Sequence, residues 1–411
     1  MICFPKILTR RLTYLRAVKS IRQFMTDPLT RSVGFVFFSL GILFLGLMAR
    51  LPEIKVALGL SKFQVGMVLF AGSVGALIGT VGSGLYMKHL SVGRACLIGV
   101  GVVALGVNLP PLATGFVVLL FAFGVSGLTD SLLNIAMNSA AATVEHRLQL
   151  NILSTCHGMF SLGAAVGALI SGLLAKWDVS LTTHFIGLGV VVVGLNLLNR
   201  RTLFTLSHRG AEESSFRLPG RAIVWLAIIV FCSGIGEGTM IDWSPVYFRE
   251  NLGAGPFWTS FSAGAVTSMM ALMRFGGDEL RTRFGERNVL LAGAGFTFVG
   301  VWMGVIIANI PGVLLGNFIA GLGLATMFPI AFSAAARVPG VSAQAAISGL
   351  AATSLLGFLI GPVIIGFIAE NFGLRIGFAF VGVLSLLMLV ACLRAPVTKK
   401  GKLQSQLPAN T

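Results

Sequence analysis

Residues 124–147 read GVSGLTDSLLNIAMNSAAATVEHR, and this stretch decides how the rest of the chain is interpreted. It places Asp130, Asn134 and Asn138 at four-residue spacing inside an otherwise apolar segment. That spacing puts the three polar side chains on one face of a helix. An ionised group at the centre of a bilayer costs about 2.5–3.5 kcal/mol even on a lenient insertion scale. The stripe is therefore expected to face a solute or ion path, with asparagines that merely join helices as the alternative.

The composition indicates that such segments cross a membrane. Of 411 residues, 55% are hydrophobic and 11% are charged, which leaves more apolar surface than a soluble fold of this size can cover. The formal net charge of +16 does not indicate a nucleic-acid binder, since the basic residues lie in short breaks between apolar segments without interleaved aromatics. The five cysteines are scattered, so no metal site, disulfide framework or cofactor is predicted.

Apolar runs of about 20 residues predict an all-α membrane protein with twelve transmembrane helices in two six-helix halves. The predicted spans are 33–51, 63–87, 95–109, 116–140, 151–175, 181–199, 222–248, 258–276, 288–309, 312–336, 344–369 and 373–394. The domains are a basic arm at 1–31, bundles at 32–199 and 222–394, a polar linker at 200–221 and a tail at 395–411. The arm either lies on an anionic leaflet or precedes a true start at Met25.

The distribution of Lys and Arg predicts the orientation. With the N-terminus in the cytoplasm, 24 of the 30 basic residues fall on the cytoplasmic side. Both termini are therefore expected inside, in a protein of the bacterial inner membrane.

The two halves also repeat. A shift of 194 residues aligns Gly127-Leu128 with Gly321-Leu322, and Ser139 to Ala142 with Ser333 to Ala336, without a gap. The same shift places Phe328 and Phe332 opposite Asn134 and Asn138. If these helices face one another, the pocket has a polar wall and an aromatic wall, which suits a solute with a hydroxyl-bearing edge and a flatter apolar face.

Residues 274–287, RFGGDELRTRFGER, resemble the signature loop of the major facilitator superfamily. The resemblance implies a transporter with its site between the halves, and a loop acid that pairs with basic residues when the cytoplasmic side closes. The implied gating residues are Gly277, Asp278, Arg281 and Arg283, with Arg94 in the corresponding first-half loop. That loop has Lys88 where an acid is expected.

Three further stretches are similar to the fucose-permease-like branch, and within it to bacterial YbjJ-type inner-membrane proteins. They are 157–163 (HGMFSLG), Glu237-Gly238 followed by Asp242-Trp243, and 357–370. In that branch the fourth span carries a Glu-x-x-x-Asn pair whose Glu is tied to proton coupling. Here the pair falls on Asn134 and Asn138, so Asp130 is the candidate replacement for the missing acid.

The seventh span adds Glu237 and Asp242 as candidate proton-coupling residues. A regular helix points them in different directions, although the glycines around them favour a break. The alternatives are a structural hydrogen bond for Glu237 and pairing with Arg50 for Asp242. His157 is a candidate relay or a neutral buried histidine. Trp243 is a candidate for stacking on the solute, or else, like Trp177 and Trp258, an interface anchor.

Together these features predict a monomeric secondary transporter, not an enzyme, whose partners are a small solute, protons and the bilayer. We expect a small polar, sugar-like solute and coupling through Asp130 or Glu237, because no nucleotide-binding loop is present in the sequence. The alternatives are a proton-driven efflux pump for amphipathic compounds and a non-transporting membrane sensor of the same fold.

Overall fold

The computed structural model describes residue 24 and residues 26–149, 152–207 and 223–397. Most of the predicted arm lies outside the described residues, as do positions 208–221 of the predicted linker and 398–411 of the predicted tail. The side chain of Asp278 also lies outside what the structure describes.

The described residues contain twelve long helices. They are α1 Pro28–Ala49, α2 Lys62–Met87, α3 Val92–Gly106, α4 Phe116–Leu148, α5 Leu153–Lys176, α6 Leu181–Leu198, α7 Val224–Gly238, α8 Pro256–Phe284, α9 Glu286–Ile307, α10 Ile310–Ala335, α11 Ala343–Phe372 and α12 Leu374–Arg394. A short helix, Leu51–Ala57, extends α1, and a π-helical turn, Thr239–Trp243, joins α7 to a further helix, Ser244–Glu250. The short helices Pro110–Leu112 and Arg200–Leu203 complete the described set.

Eleven helices in the described part of the chain are long and apolar enough to cross a bilayer. The exception is α8, which carries several buried hydroxyl side chains, among them Thr259, Ser260 and Ser262. Each of these hydroxyls donates to a backbone carbonyl, and Ser260 reaches the carbonyl of Ala49 in α1 at 3.1 Å. Because its hydroxyls are satisfied inside the protein, α8 can sit in the bundle despite its polarity.

The 194-residue repeat extends to the helix boundaries. Helices α2, α3 and α4 begin at residues 62, 92 and 116, and α8, α9 and α10 begin at 256, 286 and 310. The repeated glycines also make equivalent contacts. A Cβ on Gly163 of α5 would lie 2.1 Å from the carbonyl oxygen of Phe38, and one on Gly357 of α11 would lie 2.6 Å from that of Phe231. Glycine therefore allows α5 to pack closely on α1, and α11 on α7.

The two halves meet along two helix pairs, α5 with α8 and α2 with α11. We call the face where α1 ends and α2 begins the Arg50 face, and the face where α2 ends and α3 begins the Arg94 face. Along α2 the contact with α11 covers the part near the Arg50 face, where a Cβ on Gly66 would lie 2.6 Å from the carbonyl oxygen of Pro362. Towards the Arg94 face, α4 makes no extensive contact with α10 or α11 among the described residues.

Polar contacts join the halves at the Arg50 face. Lys55 Nζ lies 2.5 Å from Glu250 Oε1, and Lys62 Nζ lies 3.9 Å from Glu250 Oε2. Glu370, at the end of α11, accepts hydrogen bonds from the backbone N–H groups of Lys62 and Phe63 at 2.8 and 3.2 Å. A carboxylate is favoured there because the first N–H groups of a helix have no partner within it. These contacts close the Arg50 face, whereas towards the Arg94 face the halves are joined chiefly by α5 and α8, where Oγ of Ser154 donates to the carbonyl of Arg274 at 3.1 Å.

Candidate functional site

A cavity of about 350 Å³ lies between the two halves. Helices α1 to α5 supply most of its lining, and Asp242 from the π turn and Phe358 from α11 contribute from the second half. A small ligand site of this size at a domain interface is typical of proteins that bind small molecules. Both predicted halves therefore contribute residues to the same cavity.

The polar stripe of α4 faces this cavity. Asp130, Asn134 and Ser131 all line it, and Ser131 Oγ lies 2.9 Å from Thr80 Oγ1 of α2. Asn138 lies one turn further towards the Arg94 face and does not line the cavity. Its Nδ2 donates to Asn134 Oδ1 at 3.0 Å and to the Asn134 carbonyl at 2.8 Å. The side chain of Asn138 therefore orients that of Asn134.

Two carboxyl groups of the cavity have no countercharge. Oδ1 of Asp130 is buried and has no hydrogen-bond partner, and neither Asp130 nor Asp242 makes an ion pair among the described residues. A buried polar group without a partner costs about 1–3 kcal/mol, and more when it is charged. A native structure keeps such a cost when the group binds a ligand or a proton at another stage of its cycle.

A π turn follows α7 and begins between Glu237 and Asp242. In a π-helix each hydrogen bond spans five residues, so two residues five apart point in more similar directions than on a regular α-helix. A Cβ on Gly238 would lie 3.9 Å from Oδ2 of Asp242, so the Asp242 carboxyl lies over the residue that follows Glu237. Asp242 lines the cavity, and Oε2 of Glu237 is buried. Both groups therefore face the interior of the protein, and π turns often occur at functional positions.

Glu237 takes part in a polar network that crosses between the halves. Nη2 of Arg274 in α8 lies 3.6 Å from Oε1 of Glu237, and Nη1 of Arg274 donates to Oγ of Ser161 in α5 at 2.5 Å. Glu237 and Arg274 are 13% and 14% exposed, so both charges lie inside the bundle. The second oxygen of Glu237, Oε2, is buried without a partner.

Sequence reasoning missed Arg274 because it treated the whole 274–287 stretch as loop. A signal was present, since residue 274 falls within the predicted span 258–276, and an arginine inside a span is a candidate functional residue by default. His157, one turn before Ser161, lies edge-on to Phe37 with 5.3 Å between ring centroids. It is not part of the cavity lining.

The sequence profile of the Major Facilitator Superfamily matches residues 32–281 and 278–409. The chain belongs to this superfamily. It is 29% identical over 382 residues to the uncharacterized transporter y4wD of Sinorhizobium fredii (strain NBRC 101917 / NGR234), covering 90% of this chain and 98% of that relative. It is 26% identical over 364 residues to an uncharacterized MFS-type transporter of Yersinia pestis, covering 89% and 94%.

The fold matches that of a solved transporter. The crystal structure of the nucleoside transporter NupG superposes with a TM-score of 0.66 at 12% sequence identity, over 89% of this chain and 98% of that one. The predicted fold class is therefore confirmed, as is membership of the superfamily. The protein is a multi-pass membrane protein and a secondary transporter, not an enzyme.

The aromatic side chains that line the cavity differ from those predicted. Phe328 and Phe332 of α10 do not line it; their ring centroids are 6.5 Å apart, and Phe328 stacks on Phe358 at 5.9 Å. Phe358 is the ring that reaches the cavity from the second half. The wall predicted for α10 is therefore not part of this cavity, and Phe358 of α11 lies there instead. Phe44, Phe123 and Phe160 complete the aromatic lining from the first half.

Two expectations for the end of α7 are also corrected. Trp243 is 0% exposed and its indole nitrogen is buried without a partner, so it neither lines the cavity nor anchors the helix at the membrane surface. Asp242 does not pair with Arg50. Nε of Arg50 lies 2.5 Å from Oε1 of Glu53, and Nη2 donates to the carbonyl of Val179 at 3.0 Å.

Glu286, near the end of the signature loop, bonds to two arginines of its own half. This buried carboxylate accepts from Nη2 of Arg281 at 2.6 Å and from Nη2 of Arg337, and Oγ of Ser333 accepts from both arginines at 3.0 Å. The bonds connect the end of α8, the start of α9 and the end of α10. Glu286 thus performs a pairing of the kind that the resemblance assigned to Asp278.

The remaining predicted gating residues occupy the Arg94 face. A Cβ on Gly277 would meet no atom within 4 Å, and the guanidinium carbon of Arg283 lies 5.3 Å from the ring centroid of Phe284. In the first-half loop, Arg94 lies 6.0 Å from the ring centroid of Phe204. These cation–π contacts hold both arginines beside aromatic rings at helix ends.

Proposed function

We propose that the protein moves a small polar solute, of sugar-like size, across the bacterial inner membrane by alternating access, coupled to protons. The observation that carries the proposal is the cavity between the halves, which has two carboxyls without countercharge and lies behind the ion pairs of the Arg50 face. The polar contacts needed to orient a hydroxylated solute come from Asn134, Ser131 and Thr80.

The proposed orientation places the Arg50 face in the periplasm and both termini in the cytoplasm. Support comes from the excess of basic residues in the loops and tails of the opposite face. In this orientation the contacts of Lys55 and Lys62 with Glu250 lie at the outer entrance, which supports a cytoplasm-facing state. The proposed outward-facing state then requires these ion pairs to separate while the Arg94 face closes through the signature loop, including Asp278, Arg281 and Arg283.

Proton coupling is assigned to Glu237, Asp130 and Asp242. Glu237 is the most strongly supported of the three. Its Oε1 faces Arg274, and its Oε2 is buried without a hydrogen-bond partner in the described structure. Protonation of Glu237 would weaken its attraction to Arg274, whose other nitrogen is bonded to Ser161 in the opposite half. A proton could thereby change the contact between the halves, with His157 as a further candidate beside this network.

Transport measurements in proteoliposomes test this proposal. With a radiolabelled solute identified by a binding screen, the wild-type protein should show uptake driven by a pH gradient and also exchange without a gradient. Glu237→Gln should abolish the pH-driven uptake while exchange survives. Unchanged pH-driven uptake in this variant would remove Glu237 from the mechanism, and binding without any exchange would favour the sensor alternative.

Proton-driven efflux of amphipathic compounds is the second candidate. It is favoured by the four phenylalanines that line the cavity, since these rings provide apolar surface that a fully hydroxylated solute does not need. Everted vesicles distinguish the two. Accumulation of an amphipathic dye on acidification of the lumen, with no counterflow of sugars or polyols, would select efflux. The finer placement in the fucose-permease-like branch is part of the first proposal and rests on the sequence resemblance.

A further inference from the structure

The charges that line the cavity are all of one sign. Asp130 and Asp242 contribute carboxyls, and no lysine, arginine or histidine occurs among the described residues that line it. The two acids come from different halves, so a guest between them would be in reach of both. The described lining of the cavity therefore contains two carboxyl groups and no basic side chain.

The partly buried cation Arg274 makes no ion pair with either acid in the described structure. Arg274 is engaged by Glu237 and by Ser161, and it is not among the residues that line the cavity. In the low-dielectric interior a carboxylate without a partner is strongly disfavoured, whereas one paired with a cation regains much of the lost hydration energy. A cation from the solute could therefore supply the countercharge for Asp130 and Asp242.

The rest of the lining also suits a cation. The ring centroids of Phe44 and Phe160 lie 6.4 Å apart, and Phe123 and Phe358 line the same cavity. The faces of aromatic rings attract ammonium groups by about 0.5–2 kcal/mol, most strongly where water is excluded. Hydroxyls and the amide of Asn134 remain available for a polar body.

We propose that the cavity selects solutes that carry a protonated or quaternary amine on a single-ring body, and that it discriminates against anions. Asp130 and Asp242 hold the ammonium group, and the four phenylalanines surround it. This inference deepens the proposed function and rests on it for the movement of the solute, but not for binding.

Binding by the purified full-length protein in detergent tests the inference. Two sets of size-matched probes are measured by calorimetry at neutral pH: glucosamine, N-acetylglucosamine and glucuronate, then benzyltrimethylammonium, benzyl alcohol and benzoate. We expect the cation of at least one set to bind tenfold or more tightly than its neutral and anionic partners. Binding of a neutral or anionic member as tightly as the cation, or binding by neither cation, overturns the inference.

Isosteric variants assign the preference to the cavity. Asp130→Asn and Asp242→Asn should each reduce the cation preference at least tenfold. Asp178→Asn is the control, because Asp178 is exposed outside this cavity and has a φ of 55°, which asparagine tolerates. Equal loss in the control, or full preference retained in both cavity variants, contradicts the assignment.

Different results would contradict the transport proposal and the cation-binding inference. Cation binding without solute exchange in proteoliposomes contradicts the transport proposal and leaves the inference intact. Exchange of a neutral polyol, with no preference for its amine counterpart, contradicts the inference and leaves the transport proposal intact.

Discussion

Nη2 of Arg274 lies 3.6 Å from Oε1 of Glu237, between two helices of the same half, and Nη1 of the same guanidinium is hydrogen-bonded to the other half. Arg274 therefore joins a candidate proton-binding residue to the interface that must rearrange during transport. An arginine is suited to this position because its planar group donates to two partners at once and stays charged.

Removal of Arg274 alone should destabilise the protein more than removal of the pair. Arg274→Met leaves the Glu237 carboxylate buried without a partner, which costs on the order of 3 kcal/mol. The double variant Arg274→Met/Glu237→Gln removes that charge and should recover most of the loss. Thermal unfolding in detergent, followed by tryptophan fluorescence, compares the three proteins. A double variant as unstable as the single one would show that Glu237 does not depend on Arg274.

The ion pairs of the Arg50 face should set the balance between the two access states. Lys55 and Glu250 are partly exposed, so their interaction is worth about 1 kcal/mol, and Glu250→Gln should raise the population open at this face by about fivefold. Spin labels at positions 56 and 251 report the opening by pulsed EPR distances. Arg249→Gln, next to Glu250 but with no ion pair in the described structure, is the control and should leave the distances unchanged. An identical distance distribution in Glu250→Gln contradicts the assignment.

Close helix packing should make some glycines irreplaceable and others not. Gly163→Ala puts a methyl group 2.1 Å from the carbonyl oxygen of Phe38, so α1 and α5 must move apart at a cost of about 1–3 kcal/mol. Gly187→Ala in α6 meets no atom within 4 Å and should be neutral or slightly stabilising. Melting temperatures in detergent measure both. Equal melting temperatures would mean that the α1–α5 contact is looser than described.

The sequence alone could predict the fold because bilayer-spanning helices need long apolar runs and the two halves repeat. It could also predict that Asp130 and Asn134 share a cavity, since a four-residue spacing fixes one helical face. The relative direction of Glu237 and Asp242 depends on a π turn, which replaces the α-helical register expected from their spacing. Residue spacing alone does not report such a turn.

Contacts between segments that are far apart in the sequence could not be predicted from it either. Lys55 and Glu250 are separated by nearly 200 positions and meet only because the halves close at the Arg50 face. The aromatic wall was misassigned for a related reason. The repeat correctly relates α4 to α10, but equivalence under an internal repeat does not mean that two helices face one another. Phe358 of α11 occupies the place expected for Phe328.

The accessibility of position 134 tests the central claim, that α4 faces a cavity which opens alternately to the two sides. Asn134→Cys is placed in a protein whose five cysteines are replaced by alanine, and a membrane-impermeant maleimide is added to inside-out and right-side-out vesicles. The account predicts rapid labelling in inside-out vesicles, and labelling in right-side-out vesicles that increases when Glu250→Gln is added. If lipid-soluble maleimides label the cysteine but the impermeant reagent labels it from neither side, α4 turns this face to the bilayer. That result would contradict the central claim.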